Sequence, residues 1–146
     1  MGERIYTIEQ EQRILEKKIR DLGIFLNDNY IRAEKGPRPF FYNYFSLAPT
    51  NAFMKRYFLA FSDDQLVLIH SNYLEEEADK YITRIDHEEI KNFTVKNAIH
   101  YCIQFEYEDK MYYFYVPTGG IFANLGANYS EENFFSLWER RFKGLL

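Results

Sequence analysis

Residues 99–116, IHYCIQFEYEDKMYYFYV, predict two antiparallel strands joined by a tight turn at Glu108 and Asp109. Side chains alternate between the two faces of a strand, so a two-residue turn determines which residues lie opposite one another. One face then pairs Tyr101 with Val116, Ile103 with Phe114 and Phe105 with Tyr112. The other face pairs Cys102 with Tyr115, Gln104 with Tyr113 and Glu106 with Met111. We expect the first face to belong to a core and the second to meet water or a partner.

A second predicted hairpin, residues 56–61 and 65–71, is apolar on both of its faces. Its turn places Leu59 opposite Leu68 and Phe61 opposite Leu66 on one face, and Phe58 opposite Ile69 and Ala60 opposite Val67 on the other. A sheet with one wet face would alternate apolar and polar residues instead. We therefore expect a cover over the second face. The sequence leaves two candidates for this cover, an N-terminal helix or a second subunit.

The N-terminal segment predicts an amphipathic helix. Thr7 and Gln10 fit a capping box, and apolar residues follow at helical spacing, at Ile8, Leu15, Ile19, Leu22 and Leu26. Residues 35–39, KGPRP, then predict a linker that separates this helix from all of the strands. We accordingly divide the chain into residues 1–36, the N-terminal helix and linker, and residues 37–146, the β-rich domain.

The remaining strands and a final helix complete the expected fold. Strands are predicted at residues 40–47, 80–86 and 90–96 in addition to the two hairpins, and short turns join them into an antiparallel meander of seven strands. Ser130 is predicted to cap a helix that ends at Gly144 and whose apolar face holds Phe134, Leu137, Trp138 and Phe142. The expected fold class is α+β, mainly β, with this helix sealing one end of the sheet through Trp138.

The composition limits the class of protein. A chain of 146 residues favours a single domain, and its 19% of aromatic residues favours β structure. The net charge of −4 argues against a nucleic-acid partner, because proteins that bind nucleic acids usually present a basic surface. The chain has no apolar run long enough to span a membrane and no export signal after Met1. Together with the single Cys102, these features predict a cytoplasmic protein without an integral membrane segment.

Two stretches resemble the bacterial branch of the pleckstrin-homology-like (PH-like) superfamily. Residues 56–69, RYFLAFSDDQLVLI, are similar to its second hairpin, and residues 85–95, IDHEEIKNFTV, are similar to the segment in which a short turn leads into an alternating strand. The resemblance covers about residues 40–146. It implies a seven-stranded antiparallel PH-like barrel with a C-terminal capping helix, to which the N-terminal helix is an addition.

The resemblance implies a narrow range of ligands. Superfamily members that bind phosphoinositides do so with Lys and Arg residues in the loop after the first strand, and here that loop offers Lys55 and Arg56 as ligand-binding residues. Two basic residues provide few contacts for a phosphate group, so we expect peripheral lipid contact to be weak. Many other members bind peptides or build oligomers.

The sequence contains no complete catalytic or metal-binding motif. His87 and Glu88 begin like a zinc-protease helix, but Lys91 stands where that motif needs its second histidine. His70 and His100 belong to different predicted strands, and no basic group near Cys102 in the sequence would activate its thiol. We therefore predict no catalytic residues, no metal and no cofactor, and we expect that the protein is not an enzyme.

Two functions remain open at this point. The favoured one is a non-catalytic protein-interaction or assembly module, whose partner is a protein, a peptide or a second copy of the chain. The row Gln104, Met111, Tyr113 and Tyr115 is the predicted partner-contact surface. The alternative is a small-ligand or lipid-sensing barrel, because Phe and Tyr in such number can line a pocket as well as fill one.

Overall fold

The computed structural model describes residues 7–39, 55–71, 81–97, 100–117 and 128–146. The helices and strands, in chain order, are α1 (Ile8–Asp21), β1 (Tyr30–Lys35), β2 (Lys55–Phe61), β3 (Gln65–His70), β4 (Ile82–Asp86), β5 (Lys91–Asn97), β6 (Tyr101–Tyr107), β7 (Lys110–Val116) and α2 (Asn128–Glu139). The seven strands form one antiparallel sheet in the order β4-β3-β2-β1-β7-β6-β5. The predicted fold class, α+β and mainly β, is confirmed.

The first strand of the sheet lies before the Gly-Pro linker. β1 pairs with β2 along its whole length and with β7 at Glu34 and Lys35. The prediction that the linker separates α1 from all of the strands is therefore wrong. A division between residues 36 and 37 would separate β1 from the rest of its sheet. The strand predicted at residues 40–47 lies outside the described residues.

The two predicted hairpins have the predicted register. Every β6–β7 pair that the two-residue turn requires is present, and the β2–β3 pairs around Asp63 and Asp64 are present as well. Glu108 and Asp109 both have positive φ, 51° and 61°. Two consecutive left-handed residues are typical of a type I′ turn, whose twist matches that of the strands it joins.

The inner face of the sheet encloses an aromatic core with α2. We call this set the inner core; its buried aromatic members are Phe61, Phe93, Phe105, Phe114, Phe134 and Phe142, and aliphatic residues of β1, β2, β3 and β6 fill the space between them. Leu137 and Phe134 of α2 are fully buried, whereas Trp138 is half-buried and packs edge-on against Tyr101 at 5.1 Å between ring centroids. The prediction of a final helix is confirmed, and Trp138 lies at the edge of the contact between this helix and the sheet.

Both ends of the final helix differ from the prediction. α2 begins at Asn128, so Ser130 lies inside its first turn; the Ser130 hydroxyl accepts a bond from the Arg32 amide at 2.8 Å and ties the helix to β1. The helix ends at Glu139, and a terminal turn follows at Arg141–Gly144. Its residues Arg141, Phe142 and Lys143 all have positive φ, and this left-handed turn carries Phe142 back into the inner core.

The other face of β2 and β3 is covered by α1, as predicted. We call the resulting set the outer core; its buried members are Leu15, Ile19, Ile24, Tyr30, Phe58, Ala60, Val67, Ile69 and Tyr129. The predicted capping box at Thr7 is present in both directions. The two-sided apolar hairpin is thus explained within one chain, because one face belongs to the inner core and the other lies under α1.

Candidate functional site

The inner face of the sheet changes from buried apolar residues to exposed charged residues toward one end. Successive inward positions run Leu59, Tyr57, Lys55 on β2 and Phe114, Tyr112, Lys110 on β7, from buried to exposed. β1 ends with Lys35 on the same face, directly opposite Lys55 in the register and opposite Phe114 on its other side. The core therefore passes through a layer of half-buried tyrosines into a group of lysines. We call Lys35, Lys55 and Lys110 the lysine end.

The electrostatics of the lysine end centre on Lys35. Burial lowers the pKa of the half-buried Lys35 ammonium, and the charges of Lys55 and Lys110 lower it further. The ammonium lies 4.7 Å from the centroid of the Tyr112 ring, and this cation–π contact offsets part of the cost of burial. Within the described part of the chain, no carboxylate forms an ion pair with any of the three lysines. Three like charges thus influence one another, and none of them has an ion-pair partner among the described residues.

The tyrosine layer beneath the lysines is held by ring packing. Tyr112 stacks on Phe105 at 5.3 Å between centroids, and Tyr57 meets Phe114 edge-on at 5.8 Å. Burial raises the pKa of the Tyr57 hydroxyl, so this side chain is neutral at physiological pH. The layer therefore presents rigid, uncharged rings to anything that the lysines bind.

A separate acidic pocket adjoins Tyr107. It has a volume of about 250 Å³ and is lined by Glu89, Lys91, Glu106, Tyr107, Glu108 and Asp109. Four of these six side chains are carboxylates, so the pocket repels the anions that the lysine end attracts. The ring of Tyr107 packs against Tyr112 at 6.3 Å, and the two surfaces are therefore neighbours of opposite charge.

The predicted ligand-binding pair is divided by the sheet. Lys55 is exposed and belongs to the lysine end, whereas Arg56 points to the opposite face and lies across from Glu34 in the register. Sequence reasoning missed Lys35 because it had been assigned to the linker, and it missed Lys110 because the residue adjoins a turn. A signal was present, since β2 and β7 both begin with Lys, any residue, Tyr, any residue and then an apolar residue.

The predicted partner-contact row is only partly accessible. Gln104 and Tyr115 are buried, with 6% and 1% of their surface exposed, while Met111 is 45% exposed and Tyr113 is half-buried. The linker covers part of this row, because the Tyr115 hydroxyl donates to the Pro37 carbonyl and the Gly36 amide donates to the Tyr113 carbonyl at 3.1 Å. Of the four residues, Met111 and Tyr113 retain surface for a partner.

The structure describes all three histidines of the chain, His70, His87 and His100, and its single cysteine, Cys102. His70 lies opposite Tyr57, as predicted, with 5.0 Å between the ring centroids. Burial lowers the pKa of His87 and of His100 and raises that of the Cys102 thiol to about 11, so this thiol is protonated and a poor nucleophile at neutral pH. Across the described ranges, no three His, Cys, Asp or Glu side chains are grouped to hold a metal ion.

No described helix is both long enough and apolar enough to span a bilayer.

Comparisons with known proteins find similarity only among solved structures. No family model matches the chain, and no curated protein does. Among solved structures, the chain is similar to the C-terminal domain of an unknown protein from Leishmania infantum, with 12% sequence identity and a TM-score of 0.47. The similarity covers 90% of this chain and 96% of that domain. The seven-stranded antiparallel sheet followed by a C-terminal helix is consistent with PH-like topology.

Proposed function

We propose that this chain is a non-catalytic binding module of the bacterial PH-like type and that its lysine end binds an anionic ligand. The observation that carries the proposal is the half-buried Lys35, which lies directly opposite Lys55 in the strand register and over the Tyr112 ring, and whose pKa the charges of Lys55 and Lys110 lower further. Like charges in such proximity oppose folding, and a bound anion would remove that cost. The proposed ligand lies beside Lys55, one of the two residues that the resemblance implied.

The ligand chemistry that fits best is a phosphate ester. Lysine ammoniums are compact donors that hold phosphate as point charges, and the Tyr57 and Tyr112 rings beside them can contact the carbon skeleton of the ligand. A soluble phosphorylated molecule and a phospholipid headgroup share this chemistry. The aromatic rings of the inner core pack against one another and fill the interior of the sheet. We therefore propose a ligand site at the lysine end and not in a cavity inside the sheet.

Thermal unfolding with phosphate probes tests the proposal. Pyrophosphate and an inositol polyphosphate serve as soluble probes, and phosphatidylcholine vesicles with and without phosphatidylserine test for a lipid headgroup. A ligand that binds only the folded state raises Tm. We expect the soluble probes to raise the Tm of the wild type, and Lys35→Gln to weaken their binding by roughly tenfold to a hundredfold, since a hydrogen bond to a charged group contributes roughly 1.5–3 kcal/mol.

The control is Lys96→Gln, which removes the same charge from an exposed position on β5. Without ligand, Lys35→Gln should leave Tm unchanged or raise it, because it relieves repulsion at the lysine end. Loss of binding together with retained stability distinguishes a ligand contact from a structural role. The proposal fails if neither the probes nor the vesicles bind, or if Lys96→Gln weakens binding as much as Lys35→Gln does.

A further inference from the structure

Phe25 is the most exposed large apolar side chain of the described residues. It has 83% of its surface exposed, compared with 45% for Met111 and 39% for Phe135. Phe25 lies in residues 22–29, which join α1 to β1 and which we call the Phe25 loop. Its neighbours Ile24 and Leu26 pack into the outer core, so the alternation of the chain points the Phe25 ring outward.

The Phe25 loop is held in one conformation by Asn29. This side chain is 1% exposed, and its carbonyl oxygen accepts a bond from the Asn27 amide at 3.0 Å. Its amide nitrogen donates to the Phe25 carbonyl at 3.0 Å and to the Phe61 carbonyl at 2.7 Å. These bonds hold the backbone of the loop at Phe25 and Asn27, and leaving the buried Asn29 side chain without them would be costly.

Two arginines fix the loop from outside. Arg84 donates to the Leu22 carbonyl at 2.8 Å, and Arg140 donates to the carbonyls of Asn27 and Asp28 at 2.8 and 3.1 Å. Neither guanidinium forms an ion pair with a carboxylate of the described residues. Phe25 is therefore presented by a preorganised loop, in which the entropy of ordering is lost before any partner binds.

The charges around Phe25 are of both signs. Besides Arg84 and Arg140, the surface carries the exposed carboxylates Asp28, within the loop, and Glu139, next to Arg140 in the chain. These carboxylates also lack an ion pair within the described part of the protein. Asp28 and Glu139 would repel a polyanionic partner such as a charged membrane or nucleic acid. With two arginines and two carboxylates near one exposed aromatic ring, this surface can pair charges of opposite sign with a second copy of itself.

We propose that the Phe25 loop forms a two-fold contact with a second copy of this chain. In such a contact the two Phe25 rings lie beside the axis, and Arg84 and Arg140 of each copy face Asp28 and Glu139 of the other. A central aromatic residue surrounded by a charged rim is the usual anatomy of an energetically important contact. The loop lies over the outer core, so this surface is distinct from the lysine end and the proposal is independent of the anionic ligand.

Sedimentation velocity over a range of protein concentrations tests the contact. We expect a concentration-dependent dimer for the wild type and a dissociation constant at least tenfold higher for Phe25→Ser, because truncation of a central aromatic anchor usually has a large effect. The matched control is Ile8→Ser, which removes a 36% exposed apolar side chain from the opposite end of α1 and should leave dimerisation unchanged. Phe25→Ser should keep the wild-type Tm, because the ring is exposed.

A second variant and a distance measurement keep the test decisive if Phe25→Ser fails to fold. Asp28→Asn retains a residue that tolerates the local φ of 48° and removes one rim charge, so it should weaken the dimer several-fold. A spin label at Asn27→Cys, with the buried Cys102 left unlabelled, should give one short distance between the copies. A wild-type monomer at all concentrations, or a dimer unaffected by both variants, would overturn the proposal.

Discussion

The inner core and the outer core use different means to fill the two sides of one sheet. The inner core consists of apolar side chains, and its phenylalanine rings lie 5.4–6.4 Å apart in contacts such as those of Phe142 with Phe61 and of Phe93 with Phe61. The outer core is mainly aliphatic and includes a buried polar group between α1, β1 and α2. In this group the Glu11 carboxylate accepts a bond from the Tyr129 hydroxyl at 2.8 Å and pairs with Arg32 at 3.4 Å.

The difference follows from how each layer is assembled. The inner core is closed by hairpins whose strands are neighbours in the sequence and by α2. The outer core depends on α1, a single helix that must be oriented on a smooth aliphatic surface. Apolar contacts are not directional, whereas a buried carboxylate that meets a hydroxyl and a guanidinium accepts only one arrangement. We infer that the Glu11 group specifies where α1 lies and that the aliphatic residues supply most of its binding energy.

Removal of α1 should have the largest effect. Deletion of residues 1–22 exposes Phe58, Val67 and Ile69, and full burial of each such side chain contributes about 1.5–3 kcal/mol. The sum, with Leu15 and Ile19 lost as well, approaches the whole stability of a typical domain, about 5–15 kcal/mol. We expect the deletion variant to aggregate or to show no cooperative unfolding by circular dichroism. A folded variant with a cooperative transition would mean that α1 is an accessory element.

Truncation of Phe142 should have the next largest effect. Phe142→Ala leaves a cavity among Phe61, Phe93 and Phe134, and phenylalanine truncations of this kind typically destabilise a protein by about 3–5 kcal/mol. The measurement is urea unfolding of the two variants Phe142→Ala and Phe135→Ala. Phe135 lies in α2, a few residues before the terminal turn, and is 39% exposed. Its truncation should therefore lower the free energy of unfolding much less than that of Phe142. Equal losses would show that the terminal turn does not hold Phe142 in the core.

The parts of the fold that could be predicted are those determined by neighbouring residues. The β6–β7 register follows from a two-residue turn and an alternating pattern, and both features lie within 18 residues of sequence. A similar local argument predicted a cover over the apolar second face of the β2–β3 hairpin, with α1 as one of two candidates, and the structure shows that α1 is the cover. β1 was missed because its inward residues are only Ile31, Ala33 and Lys35, a weak pattern beside Pro37 and Pro39.

The candidate site was harder to predict because its residues are distant in the sequence. Lys35, Lys55 and Lys110 meet only through the pairing of β1 with β2 and with β7, and that pairing could not be read without β1 itself. The exposure of Phe25 could not be predicted either. Its neighbours Ile24 and Leu26 have the same apolar character, and the side that faces outward is decided by Asn29, Arg84 and Arg140.

Loss of the Tyr129 hydroxyl should give the smallest effect and the most specific one. Tyr129→Phe keeps the ring in the outer core but removes one hydrogen bond to a buried carboxylate, so we expect a loss of about 1.5–3 kcal/mol at pH 7. Burial, and then the Glu11 charge, raise the pKa of Tyr129 above its unfolded value of about 10. The stabilisation is therefore complete below pH 10 and is lost as the pH rises above it, because only the unfolded tyrosine then releases its proton.

The pH dependence distinguishes the Glu11 group from ordinary packing. The stability advantage of the wild type over Tyr129→Phe should be constant between pH 7 and pH 9 and should shrink above about pH 10, as measured by urea unfolding at each pH. Tyr57→Phe provides a comparison in the inner core: burial also raises the pKa of this hydroxyl, but none of the described carboxylates accepts a hydrogen bond from it, so its removal should cost less stability at pH 7 than Tyr129→Phe does. No advantage of the wild type over Tyr129→Phe at pH 7 would mean that Tyr129 stabilises α1 through its ring alone and that Glu11 does not orient the helix through it.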